Sequence, residues 1–187
     1  MKKIMFNDRY GLTQAVIEGR KTVNRRIMNR QPDPDDIAYM EPKDYPCQPP
    51  YKVGEIVAVA QCYADIHSEL MIGDFGDARY DSFKNAVVHD KAGWHNKMFV
   101  QADLMPHQIR ITSVRPERLQ DITDEDCMKE GIQVLDGRYY YRDSEGRIVD
   151  DFDNPRAAFA SLINKISGRG TWERNPFVWV YEFKLVK

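Results

Sequence analysis

Short strand-like runs recur along this chain with only a few brief helical stretches between them, and that rhythm limits the fold more than any other feature. Residues 2–6 (KKIMF), the alternating KTVNRRI, GEIVAVAQCY, a run near 98–103, Gln108 to Val114 and the closing NPFVWVYEFKLVK all read as strands. In the last of these, Phe177, Trp179, Tyr181, Phe183 and Leu185 share one face. RYYYRDSEGRIVD reads as a hairpin turning at Asp143–Gly146. The helices are short and carry their own punctuation. YGLTQAVIEG ends at Gly19, and TDEDCMKEG runs from a Thr123 cap through a first turn of acids to Gly131. NPRAAFASLINKI opens with Asn154 as cap and Pro155 at the first helical position, and Ala158, Phe159, Leu162, Ile163 and Ile166 form its apolar stripe. There is no βαβ rhythm and no glycine-rich phosphate loop, which disfavours a dinucleotide enzyme. The pattern predicts an α+β fold: a small mixed β-barrel with short helices packed outside it.

A chain of 187 residues, 42% hydrophobic and 30% charged, can bury a core and is expected to form one domain over residues 1–187. Two stretches stand apart from the pattern. Residues 31–50 hold six prolines in twenty positions, too few backbone donors for a strand ladder, and read as a loop. Residues 64–95 mix acids, glycines and aromatics and read as an insertion. The formal charge of −2 exerts no global pull on nucleic acid, so any anion site must be a local patch. Cys47, Cys62 and Cys127 are too far apart for a disulfide framework or a CxxC metal pair and read as reduced thiols, which points to a cytoplasmic location. Only three apolar residues separate the starting lysines from Asn7, so no signal peptide is read there. No apolar run approaches the ~20 residues of a membrane span.

Three constellations carry possible chemistry. In EGRKTVNRR (18–26), Lys21 and Thr22 sit at a turn, and Arg25 and Arg26 follow on a strand. Guanidinium forks and an ammonium beside backbone N–H groups are what a phosphate or a base edge requires; a solvated turn has the same letters. Glu130 ends the TDEDCMKEG helix, where the helix dipole disfavours an acid. Trp94 and Trp172 lie in polar, glycine-containing stretches near Asn96, Lys97 and Asn175, a grouping suited to holding single-stranded bases. Trp179, mid-strand, reads as core. The four histidines show no HxH or HExxH spacing and no GxSxG elbow is present, so neither a metal nor a cofactor is expected.

The segments GRKTVNRR, YKVGEIVAV, HNKMF, ITSVRPERLQDITDEDCMKEGI and AFASLINKI…W…NPFVWVYEF together resemble the ASCH family, a branch of the PUA-like fold, especially its larger phage and prophage forms. The resemblance spans the chain apart from the proline loop and the 64–95 region. It implies a β-barrel with flanking helices whose cleft, lined by the GxKxxxxR turn, binds RNA or a nucleotide. The family also includes an amidohydrolase that deacylates acetylcytidine with a lysine, a threonine three residues on, and a glutamate. By motif these fall on Lys21, Asn24 and Glu130, so the hydroxyl nucleophile is replaced by an amide. Two expectations follow. In the favoured one, Lys21, Arg25 and Arg26 hold phosphate, Asn24, Asn96 and Lys97 read a base or sugar edge, and Trp94 or Trp172 stacks. In the other, Lys21 is a general base partnered by Glu130, with water or Thr22 attacking and Asn24 polarising the carbonyl. On a strand, Thr22 falls on the same side as Asn24 and out of phase with Lys21.

Overall fold

The computed structural model describes residues 1–33, 35, 40–72, 83 and 92–186. The rest of the 64–95 stretch, 73–82 and 84–91, lies outside the described residues, as do 34 and 36–39 of the proline loop. The fold is mixed α+β, with a five-stranded mixed sheet of order β1-β3-β4-β8-β2 and a three-stranded antiparallel sheet β5-β6-β7. The strands are β1 (Lys3–Ile4), β2 (Val23–Ile27), β3 (Ile56–Val59), β4 (Gln108–Arg118), β5 (Gln133–Leu135), β6 (Arg138–Arg142), β7 (Ile148–Phe152) and β8 (Phe177–Leu185). The chain divides into two compact units.

One unit comprises Met1–Phe6, Ile56–Arg110 and Leu185–Lys187. Here β1 runs parallel to β3, and β3 antiparallel to the start of β4. The helix α2 (Tyr63–Ile72) overlaps the 64–95 stretch from its second residue on and supplies core: Tyr63 and Ile66 are buried with Ala58, Ala60, Phe83, Val100 and Met105, and Trp94 packs against them. The strand expected near 98–103 is replaced by two 3-10 turns, Lys97–Phe99 and Ala102–Leu104. The reason lies far away in sequence. Lys3 Nζ donates to the carbonyls of Lys97 (2.9 Å), Met98 (2.6 Å) and Val100 (2.8 Å), which curls the segment around an ammonium instead of leaving those acceptors to a ladder.

The other unit comprises Asn7–Glu55 and Ile111–Lys184. Its helices are α1 (Leu12–Ile17), α3 (Asp124–Lys129), α4 (Pro155–Ser167) and α5 (Thr171–Arg174). The expected caps form. Thr123 accepts from Asp126 N and Asn154 from Ala157 N, each satisfying an end donor that helical geometry leaves open. Helix α4 packs on α3, α5, β6 and β7, and Ala158, Phe159, Leu162 and Ile163 of its stripe are buried. Strand β8 departs from simple alternation: Val178 and Val180 are as buried as Trp179 and Tyr181, whereas Leu185 is exposed. A strand covered on both faces loses the polar-out signature.

Candidate functional site

Gly19 follows α1 with a left-handed φ of 74°, a conformation glycine adopts without cost. Lys21 N then donates back to Ala15 O at 2.9 Å, and the turn carries the lysine side chain inward, 1% exposed. Its Nζ donates to Val23 O (2.8 Å), to Glu130 O (3.0 Å) and to Glu130 Oε2. Three ammonium hydrogens thus meet three oxygens. Glu130 caps α3 and is 5% exposed. The unfavourable place of an acid at a helix C-terminus is offset here, because one cation binds both its carboxylate and its backbone carbonyl.

Strand alternation puts Val23 and Arg25 on one face of β2 and Asn24 and Arg26 on the other. The Arg25 side chain is 1% exposed and donates to Asp126 Oδ2 (2.6 Å), Glu117 Oε2 (3.1 Å) and Glu130 Oε1 (3.4 Å). Arg115 in turn binds Glu117 Oε1 (2.5 Å), Asp126 Oδ2 (3.3 Å) and Glu182. Lys21, Arg25 and Arg115 therefore face Glu117, Asp126, Glu130 and Glu182, leaving one negative charge in excess within the group. Arg25 Nε is buried without a hydrogen-bond partner among the described residues.

Burial pulls the Lys21 ammonium below the ordinary lysine pKa, and the attraction of Glu130 only partly restores it. For Arg25 burial acts in the same direction, but Glu130, Asp126 and Glu117 outweigh it and raise its pKa. The site is thus a guanidinium fixed as a cation beside an amine whose proton is held less firmly than usual.

Thr22, Asn24 and Arg26 are each half-buried. Asn24 is in register with Tyr181 and Arg26 with Trp179, so these side chains share one sheet face. The Arg26 guanidinium lies 5.5 Å from the Tyr51 ring centroid, and Tyr51 and Tyr45 each meet a β8 aromatic edge-on at 5.5 Å. The backbone of Thr22 is pinned by Lys129 O and Phe183 N.

The remaining expected residues have structural partners. Trp172 stands edge-on to Phe159 at 6.1 Å beneath the Arg156 guanidinium, and its carbonyl accepts from Gln120 Nε2. Asn175 takes a left-handed φ of 47°, and its Oδ1 accepts from Gln120 N at 2.8 Å. Trp94, Asn96 and Lys97 belong to the other unit. There Asn96 caps a 3-10 turn by accepting from Met98 N, Lys97 Nζ donates to Phe6 O at 2.5 Å, and Trp94 lies 5.9 Å from the His67 ring.

Sequence reading misses Asp126, Glu117, Arg115 and Glu182. Two signals for them are present. Asp126 and Glu130 are four apart on one helix face, and Arg115 and Glu117 alternate along β4.

No family model matches the chain, and no curated protein matches it. Among solved structures, the chain is similar to a crystal structure of an Enterococcus faecalis V583 protein described by the family-model label DUF984. Identity is 12%, with 100% of this chain and 80% of that one covered, and the TM-score is 0.43.

Proposed function

We propose that this chain is an ASCH-type module with a PUA-like barrel, binding RNA or a nucleotide through the Thr22–Asn24–Arg26 face of β2. The observation that carries the reading is the buried Lys21–Glu130 pair, whose members stand 109 residues apart in the chain. Breaking such a pair is costly, about 3–5 kcal/mol, so the turn that bears it is held firmly in place. In this reading Lys21 and Arg25 form the inner scaffold, because protein oxygens already occupy their donors and the local charge is negative. Arg26 and Asn24, on the opposite face, meet the phosphate and the base or sugar edge. The test is titration of a short single-stranded RNA over a range of salt. Micromolar binding that weakens steeply with salt is expected, because phosphate contacts release counterions. Affinity that is absent, or flat from low to high salt, sinks the reading.

A second reading draws on the weakened hold of Lys21 on its proton. A neutral Lys21 amine beside Glu130 could take a proton from water as its oxygen adds to the acyl carbon of an acetylcytidine-type amide. The acyl C–N bond then breaks and the nucleoside amine receives the proton. Asn24 lies on the other face of β2, so Lys21 and Glu130 would have to suffice. Release of cytidine that disappears in Lys21→Ala and Glu130→Gln would replace the pure binding reading with this one.

A further inference from the structure

The unit that contains β2 also holds a cavity of about 340 Å³, bounded by α1, by the segment at Gly131 and Gln133, and by the β6–β7 turn. Lys21 and Glu130 do not line it, although their chain neighbours Arg20 and Gly131 do. Its charges are unequally matched. Arg20 is neutralised by Glu18 at 2.5 Å, and Asp143 by Arg147 at 2.8 Å. Arg142 meets only neutral acceptors among the described residues: Gly146 O at 2.6 Å, Gln133 Oε1 at 3.4 Å and the Tyr140 hydroxyl at 3.4 Å. Its guanidinium rests on the Tyr140 ring at 5.0 Å. Two of its three contacts are near the hydrogen-bond limit, so the fork has donor capacity to spare. Gln14, Gln133 and Ser144 add side-chain donors around the same space.

From this we infer that the cavity is a binding site for a small organic oxyanion, a phosphate monoester or carboxylate no larger than a nucleoside monophosphate, anchored by Arg142. A partly desolvated guanidinium with no counter-ion among the described residues gains most from a bidentate oxyanion, and the volume falls within the range of small-molecule sites. Arg142 is not among the residues that the sequence points to, and the inference does not depend on the RNA-binding reading.

The test is calorimetric titration of the full chain with inorganic phosphate, cytidine monophosphate and acetate in turn, which separates phosphate from carboxylate. Saturable binding of at least one probe is expected. Arg142→Gln should weaken it by about 10–100-fold, as for loss of a charge-assisted contact, and Arg142→Lys by less. Arg138→Gln should leave it unchanged, since Arg138 is exposed and pairs with Asp151 and Asp153. Should Arg142→Gln not fold, amide chemical-shift changes in the wild type decide: shifts confined to Gly11, Gln14, Gln133, Ser144 and Gly146 support the site. Absence of binding by all three probes, equal binding by Arg142→Gln, or shifts elsewhere on the molecule would overturn it.

Discussion

Lys21 and Glu130 meet side chain to side chain with 1% and 5% of those side chains exposed, and the same ammonium holds the Glu130 backbone carbonyl at 3.0 Å. The contact ties the turn after α1 to the C-terminus of α3. Removing Glu130 strands the Lys21 ammonium in a dry place, and removing Lys21 leaves the Glu130 carboxylate only the longer contact with Arg25. Lys21→Met and Glu130→Gln should each lower unfolding free energy by about 3–5 kcal/mol. The double variant Lys21→Met with Glu130→Gln should lose distinctly less than the sum. Urea unfolding of the four proteins measures this, and strict additivity would mean that the two charges do not interact.

Stability should also carry the signature of Lys21 at alkaline pH. Its folded pKa lies below the unfolded value, so between those two values the unfolded chain binds more protons. Stability attributable to Lys21 must then rise with pH through that window, up to the unfolded value near 10.5. The unfolding free energy of the wild type minus that of Lys21→Met, followed from pH 7 upward, should increase. A difference that stays flat or falls contradicts the burial-driven shift.

How much of this is legible in the sequence depends on how local each cause is. The Thr123 and Asn154 caps are readable because a capping side chain bonds a donor three residues along. The β5–β6 hairpin is equally local, signalled by Asp136–Gly137 with φ of 50° and 75°, but the longer hairpin pattern beside it masks the signal. The stretch at 98–103 misleads because its alternation suits a strand, while Lys3, more than ninety residues away, takes its carbonyls. Alternation along β2 sets Asn24 on the face opposite Arg25. It cannot show that Lys21 and Arg25 are buried, because that follows from Glu117, Asp126 and Glu130 arriving from β4 and α3.

The three thiols should differ in reactivity. Cys127 is buried and its pKa is pushed up to about 12 by that burial, so almost no thiolate exists at pH 8. Cys62 is half-buried, and burial together with the nearby Asp65 carboxylate raises its pKa. Cys47 is half-buried, its thiol 3.6 Å from Arg30 O. With an aromatic disulfide reagent at pH 8, Cys47 should react first, Cys62 more slowly, and Cys127 only after unfolding. Prompt titration of all three thiols in the native protein would contradict the burial of Cys127.

Gly93 tests the packing of the other unit. A Cβ built there would fall 2.4 Å from Tyr63 Cε2 and 2.6 Å from Cδ2, against a ring that is 5% exposed. Gly93→Ala should therefore destabilise by about 1–3 kcal/mol, as overpacking of a fixed ring does. Thermal unfolding reads this, and the added variant Tyr63→Leu, which removes the clashing edge, should recover part of the loss.

The most direct test of the proposed function compares wild type with Arg26→Gln and Arg25→Gln in titrations of one fluorescently labelled single-stranded RNA at low salt. Arg26→Gln should weaken binding about tenfold or more, because Arg26 meets the phosphate, beyond the modest stability lost with its contact on the Tyr51 ring. Arg25→Gln should instead lose stability, because Arg25 holds three carboxylates. Equal affinity in wild type and Arg26→Gln, or no RNA binding by either, would contradict the proposal that the Thr22–Asn24–Arg26 face of β2 holds the ligand.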